Sequence, residues 1–402
     1  MNIDHTTPSY YAQRALVYAQ ALARTPRGSA TIAEKQAAEY TLEELKSMGV
    51  DEVKLEPFLG LRSIWLFLAL AFGLALVGHA GFWLLRGPAG DIPAILITLP
   101  AFGLSGFLLW RKFTFRSFPL RNYLPQAASQ NVIAVIPPVG EVHRRVVLVG
   151  HIDSHRAVFW FANNFMMTLF ALFSVVTLYG VFLAMVAYIL AVLTRLPFFA
   201  WIGAILALFH FLGWFTGVTA DLGRYSPGAN DNASGVGTIL ALAERLLGQQ
   251  LQNTEVWLAF TGCEESGCDG MLSMIKEHGN TLKEALFIDF EMVGIGDGLR
   301  YIHDEGNLRR RHIPEEVEVI LKEVGKPFGI ISASTPPVGA FTEGGTLWEH
   351  GFKAACLSAH YRNSTFMPEW HRLTDTPDHL QVDALERVHS FAWALLQRLD
   401  QG

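Results

Sequence analysis

Two kinds of hydrophobic pattern share this chain. In four stretches, 63–85, 92–110, 157–194 and 196–220, no Asp, Glu, Lys or Arg occurs. About 20 apolar residues in a helix cross the ~30 Å hydrocarbon core of a bilayer. The stretches therefore predict transmembrane helices at 64–85, 92–110, 166–193 and 198–219, with the polar-flecked start around Asn163 and Asn164 at the interface. Trp65, Trp83, Trp110, Trp160, Trp201 and Trp214 fall near the ends of these spans, where an aromatic belt belongs. The turns at 86–91 and 194–197 are short, so the spans pair into two hairpins. Each hairpin returns the chain to its starting face, and the remaining pieces share one side of the membrane.

Elsewhere the apolar positions sit among charges at shorter periods. Helical spacing marks 10–23, 29–48, 233–247, 271–277, 315–324 and 382–399, with Ser29 as an N-cap and Gly49 as a stop. Strand-like runs occupy 53–56, 131–136, 146–149, 256–260, 286–290 and 354–357. Strands alternating with helices predict an α/β domain, a largely parallel mixed sheet flanked by helices. The hairpins interrupt this domain. The expected organisation is 1–60, 111–156 and 221–402 as three parts of one domain, with hairpins at 61–110 and 157–220.

Composition agrees with that division. Only 17% of the 402 residues are charged and the mean hydropathy is +0.27, against about 25% charge in ordinary soluble domains. The net charge of −6, without basic blocks, argues against nucleic-acid binding. Cys263, Cys268 and Cys356 are too few for a disulfide framework. Residues 1–30 are polar and do not read as a signal peptide. Arg62, Arg111, Lys112, Arg116, Arg121, Arg156 and Arg224 lie on the domain side of the spans, and only Arg86 and Arg195 lie opposite. The positive-inside rule then places the domain in the cytoplasm. Membrane lipid is an expected partner. The pairs Gly213/Gly217 and Gly203/Ala207 permit close helix packing and leave room for a homo-oligomer through the transmembrane helices. His79 and His210 fall inside spans, as functional candidates or as neutral rings bonded within the bundle.

The candidate chemistry lies where strands end. His151 and Asp153 follow one strand run, Glu264 and Glu265 another, and Asp289 and Glu291 a third. Ligands bind beyond the carboxyl ends of strands in open α/β sheets, and imidazoles with carboxylates suit zinc. The segment Gly228-Ala229-Asn230-Asp231-Asn232-Ala233-Ser234-Gly235 would project Asp231 from a tight loop. Read by itself, Asp231 serves equally as a helix N-cap.

That segment resembles the metal-bridging motif of the M28 family of zinc aminopeptidases. Other motifs follow in the family's order: His151-Ile152-Asp153-Ser154, Glu264-Glu265-Ser266-Gly267, Glu291-Met292-Val293-Gly294 and His371-Arg372-Leu373-Thr374-Asp375-Thr376. The opening Arg27-Gly28-Ser29 with the following helix is also similar. The resemblance implies a zinc aminopeptidase-like fold and two zinc ions. It implies that Asp231 bridges them, that His151 and Glu291 complete one site, and that Glu265 and His371 complete the other. Asp153 would orient His151, and Glu264 would be the general base toward a metal-activated water, with a peptide as substrate.

Three departures stand out. Glu291 occupies a position where the family has Asp, which leaves Asp289 as an alternative ligand. Trp370 precedes His371 where some members have an oxyanion-stabilising Tyr; Tyr361 is an alternative. A hairpin separates His151 from Asp231, so the site should lie close to the membrane surface. His155, His303, His360 and His379 are further ligand candidates, His155 also as a substrate contact. Glu343 is read as a loop cap or a substrate-facing carboxylate, and the cysteines as packing residues. The competing functions are glutaminyl-cyclase-like acyl transfer, a non-catalytic scaffold, and a transporter, for which uncharged spans offer little.

Overall fold

The computed structural model describes residues 9–335, 340–364 and 366–401; the first eight residues of the segment read as lacking a signal peptide lie outside them. In chain order the elements are α1 (Tyr10–Leu22), α2 (Ile32–Met48), β1 (Glu52–Leu61), α3 (Ile64–Ala89), α4 (Asp91–Phe113), β2 (Gln126–Ile136), β3 (Arg144–His151), α5 (Asn164–Thr194), α6 (Pro197–Ala220), α7 (Ser234–Gly248), β4 (Thr254–Thr261), α8 (Asp269–His278), β5 (Leu286–Phe290), β6 (Gly298–Glu305), β7 (Arg311–His312), α9 (Glu315–Gly325), β8 (Ile331–Ser334), α10 (Glu343–Glu349), β9 (Lys353–His360) and α11 (Val382–Asp400).

One nine-stranded sheet runs in the order β1-β2-β4-β3-β5-β9-β6-β7, with β8 paired to β6. The central strands β4, β3, β5 and β9 are parallel, and the flanking pairs β1/β2, β2/β4, β9/β6 and β6/β7 are antiparallel. Val146–Val149, buried on both faces, read as the continuous apolar run expected of a central parallel strand. The strands β6, β7 and β8, beyond β9, escape the sequence pattern. Gly298–Glu305 mixes Arg300, His303 and Asp304 into its run, and β8 is four residues on the rim.

Four helices are long and apolar enough to cross a membrane: α3, α4, α5 and α6. Asn163 caps α5 by accepting from the Met166 N–H, so the polar start read as interfacial is the helix terminus itself. Pro100 is accommodated inside α4. The α3–α4 hairpin lies between the paired strands β1 and β2, and α5–α6 lies between β3 and α7. The first hairpin is tied to the sheet: Lys112, near the end of α4, donates to the Ser266 carbonyl at 2.8 Å, and Arg121 pairs with Asp269 at 2.9 Å.

The N-terminal cap of α2 is Thr31, whose hydroxyl accepts from the Glu34 N–H. Ser29, expected to cap, is buried and donates to Asp153 at 2.6 Å. Gly49 ends α2 in the left-handed conformation, as its position predicts.

Candidate metal centre

The ends of β3, β4 and β5 bring three motifs side by side. His151 closes β3, Glu264 and Glu265 follow β4, and Glu291 follows β5. Beyond several of these strands the backbone turns left-handed, at Cys263, Met292 and, in the loop after β9, His371 (φ 55°, 53° and 54°). Such conformations cost of order 1–3 kcal/mol each and persist where the surroundings over-determine them.

Those surroundings are a hydrogen-bonded weave around Asp231. The carboxylate of Asp375 accepts from the N–H groups of Asn230 and Asp231, at 2.7 and 3.0 Å. Asn232 donates to the Phe290 carbonyl at 2.6 Å and accepts from the Met292 and Gly235 N–H groups. Ser234 accepts from Val293, and Asn230 from Gly294. The two motifs that look unrelated along the chain are thus each other's partners. Gly235 allows the contact: a Cβ there would stand 2.4 Å from the Phe290 oxygen. Arg27, 2% exposed, donates to the carbonyls of Leu22, Ile152, Pro227 and Gly228 and anchors the loop from below. Asp231 is no N-cap; α7 starts at Ser234, beyond it.

The two carboxylate oxygens of Asp231 face different imidazoles. Oδ1 lies 3.3 Å from His151 Nε2, and Oδ2 lies 3.3 Å from His371 Nε2. Glu291 Oε2 stands 3.4 Å from His151 Nε2, and Glu265 Oε2 stands 3.2 Å from His371 Nε2. The atoms around a tetrahedral ion with bonds of ~2.0–2.1 Å are roughly 3.3–3.4 Å apart, so these separations fit zinc.

Protonation points the same way. The Asp153 carbonyl, which only accepts, faces His151 Nδ1 at 3.1 Å. His151 Nδ1 therefore carries hydrogen. His151 Nε2 then faces two carboxylates, an arrangement satisfied either by a proton on that nitrogen or by a cation between them. Asp231 Oδ2, Glu265 Oε1, Glu291 Oε2 and His371 Nδ1 are buried without a hydrogen-bond partner. Buried polar atoms are almost always paired, and a metal ion would satisfy the three carboxylate oxygens. Burial pushes the carboxyls of Glu264 and Glu265 well above the ordinary range, against the pull of His151, and pushes Glu291 up to about 7. Burial brings His371 down to about 4. For His151 burial favours the neutral ring, but Glu291, Asp153 and Asp231 outweigh it and hold the imidazole well above its usual value.

The remaining candidates separate clearly. Asp289 accepts from the Gly344 N–H at 2.9 Å, at the start of α10, and forms no ion pair with an imidazole among the described residues. The Asp153 carboxylate accepts from the Glu264 and Glu265 N–H groups, both at 3.1 Å, and lies 3.5 Å from His151 Nδ1. Its carboxylate therefore ties Ser29 to the glutamate pair, and its backbone carbonyl holds His151. Thr342 caps α10, whereas Glu343 is fully buried and accepts from the Thr261 hydroxyl. Tyr361 accepts from Gln381. Cys263, Cys268 and Cys356 are buried free thiols.

His155 is the residue that sequence reasoning undervalued. It stacks on His371 with ring centroids 3.7 Å apart and groups with Glu265 and His371 as a third set able to hold an ion. Its Nδ1 donates to the Arg156 carbonyl at 2.8 Å, leaving Nε2 free to ligate. The only signal for it along the chain was proximity to Asp153.

A cleft opens over these residues, lined by Glu264, Glu265 and Glu291 and by the aromatic rings of Trp65, Phe113 and Trp370. Trp65 belongs to α3 and Phe113 to α4, so the hairpins form part of its wall.

Residues 212–396 match the profile of peptidase family M28. The chain is 28% identical over 191 residues to YfbL, an uncharacterized protein of Escherichia coli (strain K12); the match covers 41% of this chain and 57% of the relative's length. Among solved structures, a zinc aminopeptidase from Bacillus subtilis superposes with a TM-score of 0.57 at 15% identity, covering 98% of this chain and 96% of that one. A leucine aminopeptidase precursor and a glutaminyl cyclase bound to N-acetylhistamine, both from Bacteroides thetaiotaomicron, each give 0.55 at 15% identity, over 97% of this chain and 98% and 99% of theirs. At such identities the superpositions establish a shared fold.

Proposed function

We propose, from the match of residues 212–396 to peptidase family M28, that the chain is a membrane-integrated zinc aminopeptidase of that family with two ions per chain. The observation that carries this reading is the split of Asp231 between two imidazoles, Oδ1 toward His151 and Oδ2 toward His371. His151 and Glu291 with Asp231 would hold one zinc ion; Glu265 and His371 with Asp231 would hold the other, with His155 beside it.

Zinc bound there would acidify a water toward pKa ~7 and polarise the scissile carbonyl. Glu264 groups with His151 and Glu265 as a further set able to hold an ion, but the two sites are complete without it. Its N–H is held by Asp153, its side chain lines the cleft, and a carboxylate there takes a proton from the attacking water and passes it to the leaving amine. Asp375, Arg27 and Asn232 fix the Asp231 loop, so the ligands require little reorganisation. The aromatic wall excludes water from the cleft and favours an apolar group on the substrate.

The four apolar helices support two transmembrane hairpins, with the domain on the side bearing most of the Arg and Lys, the cytoplasmic side by the positive-inside rule. Protein that resists a carbonate wash, and a domain digested by protease only in opened cells, are the expected results. Release of intact protein by carbonate would refute the spans.

The test of the activity is a peptide-library digest by zinc-loaded protein, with and without chelator, read by mass spectrometry. Stepwise loss of N-terminal residues that stops with chelator is expected. Internal cleavage would make the enzyme another kind of peptidase. The likeness to a glutaminyl cyclase supports a second reading, in which N-terminal glutaminyl peptides lose ammonia and no residue is released. The same digest separates the two.

A further inference from the structure

A second, apolar cavity lies inside the helix bundle directly beyond the metal-site cleft. Trp65, Leu68, Phe113 and Phe170 line both spaces. On α3 the lining advances from Ile64, Trp65 and Leu68 at the cleft to Phe72 in the inner cavity. These positions recur at helical spacing and form one continuous stripe. From Ile64 to Phe72 it runs about 12 Å along the axis, at 1.5 Å per residue. The inner end is bounded by α5 and α6 at Thr177, Gly213 and Thr216.

Beyond the Ser174 hydroxyl the inner cavity offers little to a polar ligand. The Thr177 hydroxyl donates to the Phe173 carbonyl at 2.7 Å, and the Thr216 hydroxyl accepts from the Trp160 indole at 3.2 Å. The Thr177 carbonyl is already taken by His210. The unmet polar demand lies at the junction instead. Trp65 is 5% exposed, and its indole N–H has no acceptor among the described residues. One compartment thus carries carboxylates and imidazoles, the next is apolar, and an unused donor belongs to a residue shared by both.

Resting on the peptidase reading, we propose that the substrate is an amphiphile: an amino-acid or peptide amide bearing one long apolar chain and drawn from the bilayer. Its amide lies among the ligand residues, and its chain passes Trp65 and Phe170 into the space between α3, α5 and α6. Occupation of a hydrocarbon-lined space by a hydrocarbon chain needs no polar partner, whereas a polar side chain there would lose its hydration without replacement.

The test uses the full-length, zinc-loaded protein in lipid nanodiscs and two homologous series of amides. In one, 2-aminoalkanoyl anilides, the chain grows from ethyl to dodecyl on the acyl side. In the other, alanyl N-alkylamides, it grows over the same range on the amine side. In at least one series kcat/KM should rise about fourfold per added methylene before levelling off, corresponding to ~0.8 kcal/mol per buried CH₂. In Ser174→Phe, which places a ring in the inner cavity, the ratio of dodecyl to ethyl rates should collapse at least tenfold, read within one preparation. Flat series, with the ethyl members cleaved, would overturn this inference and leave the peptidase reading standing. If no amide is cleaved, the peptidase reading fails, and photolabelling decides this one. A dodecyl amide with a terminal diazirine should label residues 170–178 or 213–216, and labelling confined to other segments would overturn the proposal.

Discussion

Two pairs of buried histidines stand in opposite conditions within this molecule. His151 and His371 at the strand ends are 1% and 7% exposed; His79 and His210 in the helix bundle are 4% and 0% exposed. In the bundle the two rings lie in one continuous chain of hydrogen bonds. The Thr177 carbonyl faces His210 Nε2 at 3.1 Å, so that nitrogen carries hydrogen and Nδ1 accepts. His79 Nε2 then donates to His210 Nδ1 at 2.8 Å, and Tyr188 donates to His79 Nδ1 at 2.7 Å. The Trp83 indole donates to the Tyr188 oxygen at 3.3 Å and completes a chain with one direction throughout. Both rings are neutral and satisfied. Around His151 and His371 ring nitrogens and carboxylates face each other, and among the described residues Asp231 Oδ2, Glu265 Oε1, Glu291 Oε2 and His371 Nδ1 have no hydrogen-bond partner. Burial alone does not separate the two pairs; the groups that face their ring nitrogens do.

The largest expected break in this contrast is Asp231→Asn, which weakens both proposed ion sites together. Hydrolysis should fall below detection and bound zinc should drop at both sites, by elemental analysis of purified protein. Retention of one ion with measurable turnover would make the two sites independent. Glu264→Gln comes next: a loss of about 10²–10⁴ in kcat, with zinc content unchanged. Wild-type turnover would remove Glu264 from its role as base.

Glu291→Gln should then weaken zinc binding at least ~10-fold more than Asp289→Asn, judged against the size of indirect effects on metal affinity. The reverse order, by competition with a chromogenic chelator, would exchange the two ligands. The smallest effect belongs to the bundle. His79→Leu leaves His210 and Tyr188 without their partner and should cost about 1–2 kcal/mol of stability. It should leave zinc content and kcat/KM unaltered, and a loss of zinc would show that the two histidine pairs are coupled.

Much of this architecture is local and therefore legible along the chain. Uncharged runs declare apolar helices because length and composition alone decide whether a helix suits a bilayer. The strands β3, β4, β5 and β9 are apolar runs because both their faces are buried. The polar residues after His151, Glu264 and Glu291 are conspicuous because they interrupt such runs. The motif order brought these residues into one expectation. Other features had no local signature. Ser29 looks like a cap because the chain around it starts a helix, yet Asp153, distant in sequence, claims its hydroxyl. β6 and β8 sit near the sheet edge, where polar residues blur the period.

What the sequence determined by itself is which residue types are available and in what order: uncharged spans inserted into an α/β chain, and carboxylates and imidazoles following its strands. Tertiary structure decided which of them meet. It turned Glu291 toward His151 and Asp289 toward α10, stacked His155 on His371, paired His79 with His210, and set an apolar cavity against the metal-site cleft. Each of these depends on the direction of a side chain and on the donor or acceptor opposite it. Those partners come from segments separated by tens to hundreds of residues, and only packing brings them within hydrogen-bond range.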